Sequence, residues 1–303
     1  MKKVIVPLAL ILQCVFLATT GSSQTTVYSD DFATDSSLSQ PPWYNLNNTS
    51  AAGYALNPTA GQGLELTVNS GSTGKVNEMF AEFTPVSLSS GQNVTLSVLF
   101  NSPVGMNTDT GGLLVGLYKN ATVNSTNEQG SAGGSTTTGG ETAANQGYFG
   151  IMGYNTSAGT STKFFSRQGG ATDENELGYY SENTANSITQ LSSFAVTGNA
   201  NLGLNVNYTL TYSITDEGAA GDQVLATISQ GATQLDSWTS TDSSGLYNTF
   251  NELDFGNYGK AAAVDVNILS ESITTTAPVP EPSVMALAGA AFGLLGLLRF
   301  RRR

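Results

Sequence analysis

The residues with the clearest potential for chemistry are two acids in the segment "NELDFGNYG", residues 251–259. Glu252 and Asp254 are two positions apart, so on a β-strand their side chains share one face, about 7 Å apart. Paired carboxylates can supply the nucleophile and the acid/base that glycoside hydrolysis requires. No further acid follows this pair, because the next positions that could extend it hold Gly256 and Asn257. We therefore expect a chance pair of solvent-facing charges, and no catalytic residue.

Other kinds of catalytic site are excluded by composition. The chain has no histidine, and its one cysteine, Cys14, lies in the N-terminal segment. A Ser-His-Asp triad, a thiol nucleophile and a Cys/His zinc site are therefore ruled out. Carboxylates, lysine, tyrosine and metals with oxygen ligands remain.

Two groups of acids could offer oxygens to calcium. They are Asp173, Glu174 and Glu176 in "TDENELG", and Asp216, Glu217 and Asp222 around "DEGAAGD". Neither has the regular spacing of a calcium loop, so solvated loop charge is the preferred interpretation. We predict no cofactor, with calcium as the open alternative.

Adjacent tyrosines provide the candidate contact for a sugar. Tyr179 and Tyr180 cannot both face inward if they lie on a strand, because successive side chains alternate. An outward aromatic ring could stack on a glycan, whereas Trp43, Tyr44, Trp238, Tyr247 and Tyr258 are each expected mainly in a core.

The charge distribution argues against a nucleic-acid partner. The net charge is −12, but six of the eleven basic residues lie in the two terminal segments. Residues 24–279 carry five bases and 22 acids, a net charge of −17. Such a surface repels nucleic acid and anionic lipid.

The body of the chain has the period-two pattern of β-strands. In "NVTLSVLF" and "YTLTYSIT" every second residue is large and apolar, while serine and threonine stand between them. No stretch has a convincing amphipathic helix of ten residues. Many strands without helices predict an all-β antiparallel β-sandwich of the jelly-roll type over residues 24–272. Residues 206–240 predict a β-meander, and residues 120–146 predict a flexible insertion.

The two ends of the chain differ from the body. Residues 1–23 combine Lys2 and Lys3 with an apolar run, which predicts a helical secretory signal peptide. Residues 273–282 form a linker that ends in Pro280, Glu281 and Pro282. Ser283–Leu298 is an uncharged run that spans about 24 Å as a helix, barely enough for a bilayer core of about 30 Å. We expect residues 283–303 to form a transmembrane helix with a basic membrane stop of four arginines: Arg299, Arg301, Arg302 and Arg303.

Triplet, apolar run and basic end together resemble the PEP-CTERM sorting tail of Gram-negative bacteria. This resemblance implies an exosortase, a membrane cysteine protease, that cuts near Pro280–Pro282. It also implies a precursor anchored in the inner membrane, which then reaches the cell surface, the medium or the extracellular polysaccharide.

The body is similar, more diffusely, to concanavalin-like jelly rolls of the laminin-G-like group. The similarity rests on "VYSDDFATDSSL", "GLLVGLYKN", "GYFGIMGYN", the meander and "VDVNILSESIT". It implies two antiparallel sheets with the first and last strands close together. Retaining glycosidases with this fold use Glu-x-Asp-x-Glu or Glu-x-Asp-x-x-Glu on one strand, and here the last glutamate is absent.

These features predict a non-catalytic surface or matrix protein that binds polysaccharide. The alternative is a carbohydrate-active enzyme, either a glycoside hydrolase using Glu252 and Asp254 or a lyase using tyrosine and lysine.

Overall fold

The computed structural model describes thirteen stretches of the chain. They are residues 24–34, 43–47, 52–57, 63–68, 75–104, 111–119, 145–153, 162–168, 188–191, 194–198, 202–244, 247–259 and 263–276. The expected signal peptide, the transmembrane helix, Tyr179, Tyr180 and the sorting motif lie outside these stretches, as do residues 120–144 of the expected insertion.

Sixteen β-strands make up the described chain. Their bounds are β1 Gln24–Asp30, β2 Trp43–Asn47, β3 Ala52–Asn57, β4 Gly63–Val68, β5 Lys75–Ser87, β6 Asn93–Val104, β7 Gly112–Lys119, β8 Gln146–Gly153, β9 Lys163–Gln168, β10 Ile188–Gln190, β11 Phe194–Gly198, β12 Tyr208–Asp216, β13 Asp222–Gln230, β14 Thr233–Asp242, β15 Thr249–Gly259 and β16 Val264–Thr276. The helical element among these residues is the short 3-10 turn Gly218–Ala220. The all-β prediction is therefore confirmed for this part of the chain.

The strands form two antiparallel sheets. The nine-stranded sheet has the order β11-β14-β13-β12-β6-β16-β4-β3, with β1 pairing beside β16. The seven-stranded sheet has the order β10-β9-β8-β7-β15-β5-β2. Because β1 pairs with β16, the first and last strands are neighbours, as the jelly-roll resemblance implies.

The core lies between the two sheets and follows the period-two pattern. On β6, Val94, Leu96, Val98 and Phe100 are all fully buried, and the residues between them are partly exposed. The Phe100 ring contacts Phe255 of the other sheet, with ring centroids 6.3 Å apart. Burial of such apolar surface is the main source of stability for a fold without disulfides.

The predicted meander is confirmed with small shifts of its boundaries. β12, β13 and β14 pair consecutively and antiparallel, and Asp216 stands opposite Asp222 across the connecting turn. Gly218 and Gly221 have φ of 64° and 102° in this turn, a region that glycine occupies without steric cost. A Cβ at Gly221 would also lie 2.1 Å from the Asp242 carbonyl oxygen.

Residues Thr25–Thr275 form one compact unit, and the terminal segments fall outside it. In the described stretches, no helix is long and apolar enough to cross a membrane.

Candidate functional site: the outer face of the seven-stranded sheet

The seven-stranded sheet buries side chains on both of its faces. On β7, Leu113, Val115 and Leu117 belong to the core between the sheets, so Leu114 and Tyr118 point to the opposite side. We call that opposite side the outer face. Six large apolar side chains on it are buried although they lie outside the main core: Leu114, Tyr118, Phe149, Ile151, Phe165 and Ile188.

Glu252 and Asp254 both lie on the outer face. Leu253 and Phe255 belong to the core, so alternation along β15 turns the two acids the other way. The expected shared face is therefore observed. Both acids are nevertheless 0% exposed, so the interpretation as solvent-facing charges is wrong. The pattern of residue types could not reveal this burial, because it depends on what surrounds the sheet.

Glu252 is held by an amide just ahead of β8. The Asn145 side chain donates a hydrogen bond from Nδ2 to Glu252 Oε1, at 2.6 Å. Asn145 is itself fully buried, and its Oδ1 accepts no hydrogen bond. The last residues of the expected insertion, Asn145 and Gln146, thus belong to the fold and contribute to this face.

Asp254 is the least satisfied group on the outer face. Neither Oδ1 nor Oδ2 has a hydrogen-bond partner, although the side chain is completely buried. Burial raises the pKa of Asp254 well above its ordinary value, and the charge of Arg167 offsets part of that rise. A buried carboxyl without donors is costly to maintain, because it has lost its hydration without gaining partners.

The cation near Asp254 is Arg167, which is among the largest fully buried side chains. The strand registers place Glu252, Tyr118, Gly147 and Arg167 in one row across β15, β7, β8 and β9. Gly147 adds no side chain between Tyr118 and Arg167. A Cβ there would lie 2.2 Å from the Leu117 carbonyl oxygen, so a larger residue does not fit.

Aromatic rings cover the middle of the outer face. Phe149 and Phe165 stack with centroids 4.9 Å apart and planes inclined by 15°, and Tyr118 lies 6.5 Å from Phe149. The Tyr118 ring lies against Gly116, where a Cβ would be 2.5 Å from a ring carbon. Gly116 stands between Asp254 and Phe149 in the register, so its lack of a side chain makes room for the ring.

The outer face offers more acceptors than donors. Three buried oxygens lack a hydrogen bond: Asn145 Oδ1, Asp254 Oδ1 and Asp254 Oδ2. The aromatic rings on the same strands are buried and pack on one another. A further acid, Glu82 on β5, stands opposite Glu252 and is partly exposed.

A second group of buried acids ties the two sheets together. The Tyr148 hydroxyl, on the core side of β8, donates to Asp222 Oδ2 at 2.6 Å and also lies 3.1 Å from Asp242 Oδ2. The Tyr247 backbone N–H donates to the same Asp222 oxygen at 3.3 Å, and the two tyrosine rings meet edge to face. We call Tyr148, Asp222 and Asp242 the tyrosine–aspartate cluster.

Electrostatics in this cluster keep the phenol protonated. Burial, followed by the hydrogen bond to Asp222, raises the pKa of Tyr148 far above its ordinary value. Burial also raises the pKa of Asp222, while its hydrogen bond with Tyr148 lowers it in part. Burial raises the pKa of Tyr247 to about 12.

A third buried acid, Glu271, faces the core between the sheets. It pairs with Val98 in the register and is 2% exposed, and neither of its carboxyl oxygens has a hydrogen-bond partner. Burial raises the pKa of Glu271 well above its ordinary value, and the nearby charges of Asp30 and Asp254 raise it further.

The expected calcium ligands around the hairpin are not brought together. Asp216 Oδ1 caps the turn by accepting from the Gly218 backbone N–H at 2.6 Å, whereas Asp222 points into the core. The described residues contain no group of three or more acids, histidines or cysteines arranged to hold a metal ion. Asp173, Glu174 and Glu176 lie outside the described stretches.

Two of the expected core aromatics are placed as predicted. Trp238 and Tyr247 are both buried in the main core. Trp43, Tyr44 and Tyr258 lie on strands whose side chains there are not described.

The sequence missed the polar partners of the outer face, Asn145 and Arg167. Arg167 is the one arginine in the body of the chain. It stands two residues after Phe165, so the period-two pattern places it on the same face of the strand as that aromatic ring. That signal could have singled it out. Asn145 had none, because its contact with Glu252 spans 107 residues.

The fold is similar to that of several lectins. One is a peanut lectin bound to a nine-residue peptide, 12% identical, with a TM-score of 0.44 over 84% of this chain and 98% of that chain. Another is the potassium-bound carbohydrate recognition domain of Emp46p, 11% identical, with a TM-score of 0.47 over 83% and 98%. Lectin II from Ulex europaeus is 12% identical, with a TM-score of 0.43 over 84% and 100%.

Sequence comparison adds a finding at the end of the chain. No curated protein matches the sequence. Residues 278–303 match the model of the PEP-CTERM protein-sorting motif. This segment of the chain contains the Pro280-Glu281-Pro282 triplet and the four terminal arginines. Such a motif implies export and sorting by an exosortase. The resemblance of the tail is thus confirmed: the chain carries a PEP-CTERM protein-sorting motif at residues 278–303.

Proposed function

We propose that this chain is an exported protein of the cell surface or extracellular matrix, whose β-sandwich binds polysaccharide without cleaving it. The signal peptide, residues 1–23, is removed on export. Residues 283–303 then hold the precursor in the inner membrane, with the arginines on the cytoplasmic side. An exosortase-type protease cuts near Pro280–Pro282, and the sandwich then leaves the membrane. Its last strand extends to Thr276, so the linker is shorter than the expected residues 273–282.

The match of residues 278–303 to the sorting motif carries this proposal. The acidic body adds support, because its net charge of −17 disfavours nucleic acid and anionic lipid as partners. Polar, uncharged residues provide most of its solvation, and the chain is only 11% charged. These properties suit a protein that stays soluble among hydrated, neutral polysaccharides.

Processing is tested by mass spectrometry of the surface and medium fractions of the producing cells. The expected mature protein lacks both the signal peptide and the segment from the triplet to Arg303. Replacing Pro280, Glu281 and Pro282 by alanine should leave the uncut precursor in the membrane fraction. Thr276→Ala, next to the linker but outside the matched residues 278–303, is the matched control and should be processed normally. A mature wild-type chain that still contains Arg299–Arg303 would contradict processing.

Binding is tested by retention of the mature protein on immobilised neutral polysaccharides, with a parallel measurement of reducing-end release. We expect retention without release. The enzymatic alternative has a specific feature in its favour, the shared face of Glu252 and Asp254 with Glu82 opposite. It predicts release that Glu252→Gln abolishes, and that result would overturn the non-catalytic proposal.

A further inference from the structure

The nine-stranded sheet presents hydroxyl groups to solvent in two neighbouring rows. The strand registers align the first row across β16, β6, β12, β13 and β14, and every member is a serine or a threonine: Ser272, Ser97, Thr211, Thr227 and Ser237. The next row on the same face consists of Thr274, Thr95, Ser213, Leu225 and Thr239. All ten side chains are partly exposed, and we call the two rows the hydroxyl face.

The hydroxyl groups of this face keep sites for an external partner even where they bond to each other. Thr95 Oγ1 lies 2.8 Å from Ser213 Oγ, and the Thr211 and Thr227 hydroxyls form a hydrogen bond across β12 and β13. Each hydroxyl has one donor and two acceptor sites, so a pair uses one donor and one acceptor of its total. The face can therefore both donate to a ligand and accept from it.

The composition of the hydroxyl face restricts the class of partner. None of its ten residues is charged, although residues 24–279 have a net charge of −17. An ionic ligand would find no opposite charge on this face. The ten residues also include no tryptophan, tyrosine, phenylalanine, methionine or arginine, the types that are enriched in protein–protein interfaces. A neutral polymer of hydroxyl groups fits better, because it too donates and accepts without charge.

The dimensions of the face indicate an extended ligand. Neighbouring strands lie about 4.8 Å apart, so a row that crosses five strands is about 19 Å long. That length exceeds a single sugar ring and corresponds to a chain of several units. Because neighbouring strands twist relative to each other, a row is not straight, and a flexible soluble chain follows it better than a flat crystalline surface does.

We propose that the hydroxyl face binds a linear neutral polysaccharide, whose chain lies across the strands and follows the rows. This rests on the proposed function and names the surface and the shape of its ligand. The sugar hydroxyls exchange hydrogen bonds with the serines and threonines, while Leu225 and the threonine methyl groups contact the sugar C–H groups. Each such hydrogen bond replaces one with water and contributes little by itself, so affinity should increase with the length of the chain.

The first test measures how binding depends on ligand length. The full-length chain, purified in detergent, is passed over immobilised dextran, mannan, amylose and xyloglucan. Retained protein is then eluted with oligosaccharides of the retaining polymer, from the monomer to the hexamer. We expect the hexamer to elute at a much lower concentration than the dimer. A monomer that elutes as well as the hexamer would contradict binding along a row.

The second test removes hydroxyl groups from the middle of the face. Thr211→Val together with Thr227→Val should weaken retention about tenfold, and valine keeps the β-branched shape that suits a strand. The matched control is Ser87→Ala together with Thr249→Val, which removes a cross-strand hydroxyl pair, 3.3 Å apart, from the seven-stranded sheet. The control should bind as the wild type does. Ser97→Ala leaves the Thr211–Thr227 pair intact and should also weaken retention, by a smaller factor.

The outcomes separate this surface from the proposed function. If the hydroxyl-face variants are retained as strongly as the wild type, the surface is wrong and the function stands. If none of the four polymers retains the wild type, both are wrong. If the control weakens retention as much as the double valine variant does, the effect is not specific to the face and the surface is overturned. If the wild type is a dimer by light scattering and the double valine variant is a monomer, the face is a contact between two copies and the proposal is again overturned.

Discussion

The outer face and the tyrosine–aspartate cluster both bury an aspartate, but the two carboxyl groups differ in their hydrogen bonds. In the cluster, Asp222 receives hydrogen bonds from the Tyr148 hydroxyl and from a backbone N–H. On the outer face, Asp254 receives none. Both acids lie on strand positions facing away from solvent. Burial alone therefore does not show that an acid stabilises the fold. Asp222 has hydrogen-bond donors around it, whereas Asp254 has none.

The tyrosines repeat the same contrast. Tyr148 uses its hydroxyl to join β8 of one sheet to β13 and β14 of the other. Tyr212 is completely buried in the same core, yet its hydroxyl has no partner. Each pair therefore offers one residue whose polar group stabilises the fold and one whose polar group costs stability.

The largest expected effect is that of pH on stability. Burial raises the pKa of the two unpartnered acids, Asp254 and Glu271, in the folded protein. Such groups contribute stability that is fully present below the unfolded pKa of about 4 and is lost as the pH rises through the folded pKa. Each group costs about 1.4 kcal/mol per pH unit within that window. The fold should therefore be more stable near pH 4 than near pH 8.

Urea unfolding at pH 4, 6 and 8 measures this dependence. The midpoint should fall as the pH rises, and Glu271→Gln should flatten the fall because it removes one titrating group. A midpoint that is constant or that increases from pH 4 to pH 8 would show that these acids are satisfied in the native state, and would remove the contrast between the two regions.

A smaller effect is expected from removing the Tyr148 hydroxyl. Tyr148→Phe leaves Asp222 and Asp242 buried at the end of the core without their shared donor, and should lower the free energy of unfolding by about 3 kcal/mol. Tyr212→Phe is the matched control. It removes a hydroxyl without a partner, so stability should stay the same or increase slightly. Equal losses in the two variants would mean that the cluster does not join the sheets.

The sandwich could be predicted from the sequence because its signal is local. The alternation within β6 and within β12 predicts which side chains are buried without reference to any other strand. The short turn after Asp216 predicts that β13 pairs with β12. The sorting motif could also be predicted from the sequence, because its triplet, apolar run and arginines follow one another within residues 278–303. Neither depends on contacts between distant parts of the chain.

The polar sites could not be predicted, because they are made by register. Tyr148 meets Asp222 across 74 residues, and Asn145 meets Glu252 across 107. Alternation predicts that Glu252 and Asp254 share one face, but it does not predict whether that face is exposed to solvent. The sequence predicts loop positions for Asp216, Glu217 and Asp222, whereas Asp222 is the first residue of β13 and shares the buried face of that strand.

The smallest expected effect compares the two aspartates directly. Asp222→Asn replaces the charged acceptor of the Tyr148 hydroxyl by a neutral amide oxygen, and should destabilise the fold at pH 8 by about 1–2 kcal/mol. Asp254→Asn removes a buried acid that has no donor, and should stabilise the fold at pH 8 by about 1 kcal/mol. That gain should disappear near pH 4, where the folded wild type already holds Asp254 in its neutral form. Urea midpoints of both variants at the two pH values measure the difference. A loss of stability in Asp254→Asn at pH 8 would mean that its carboxylate has a partner in solution, and the outer face would then be a structural cluster like the one around Tyr148.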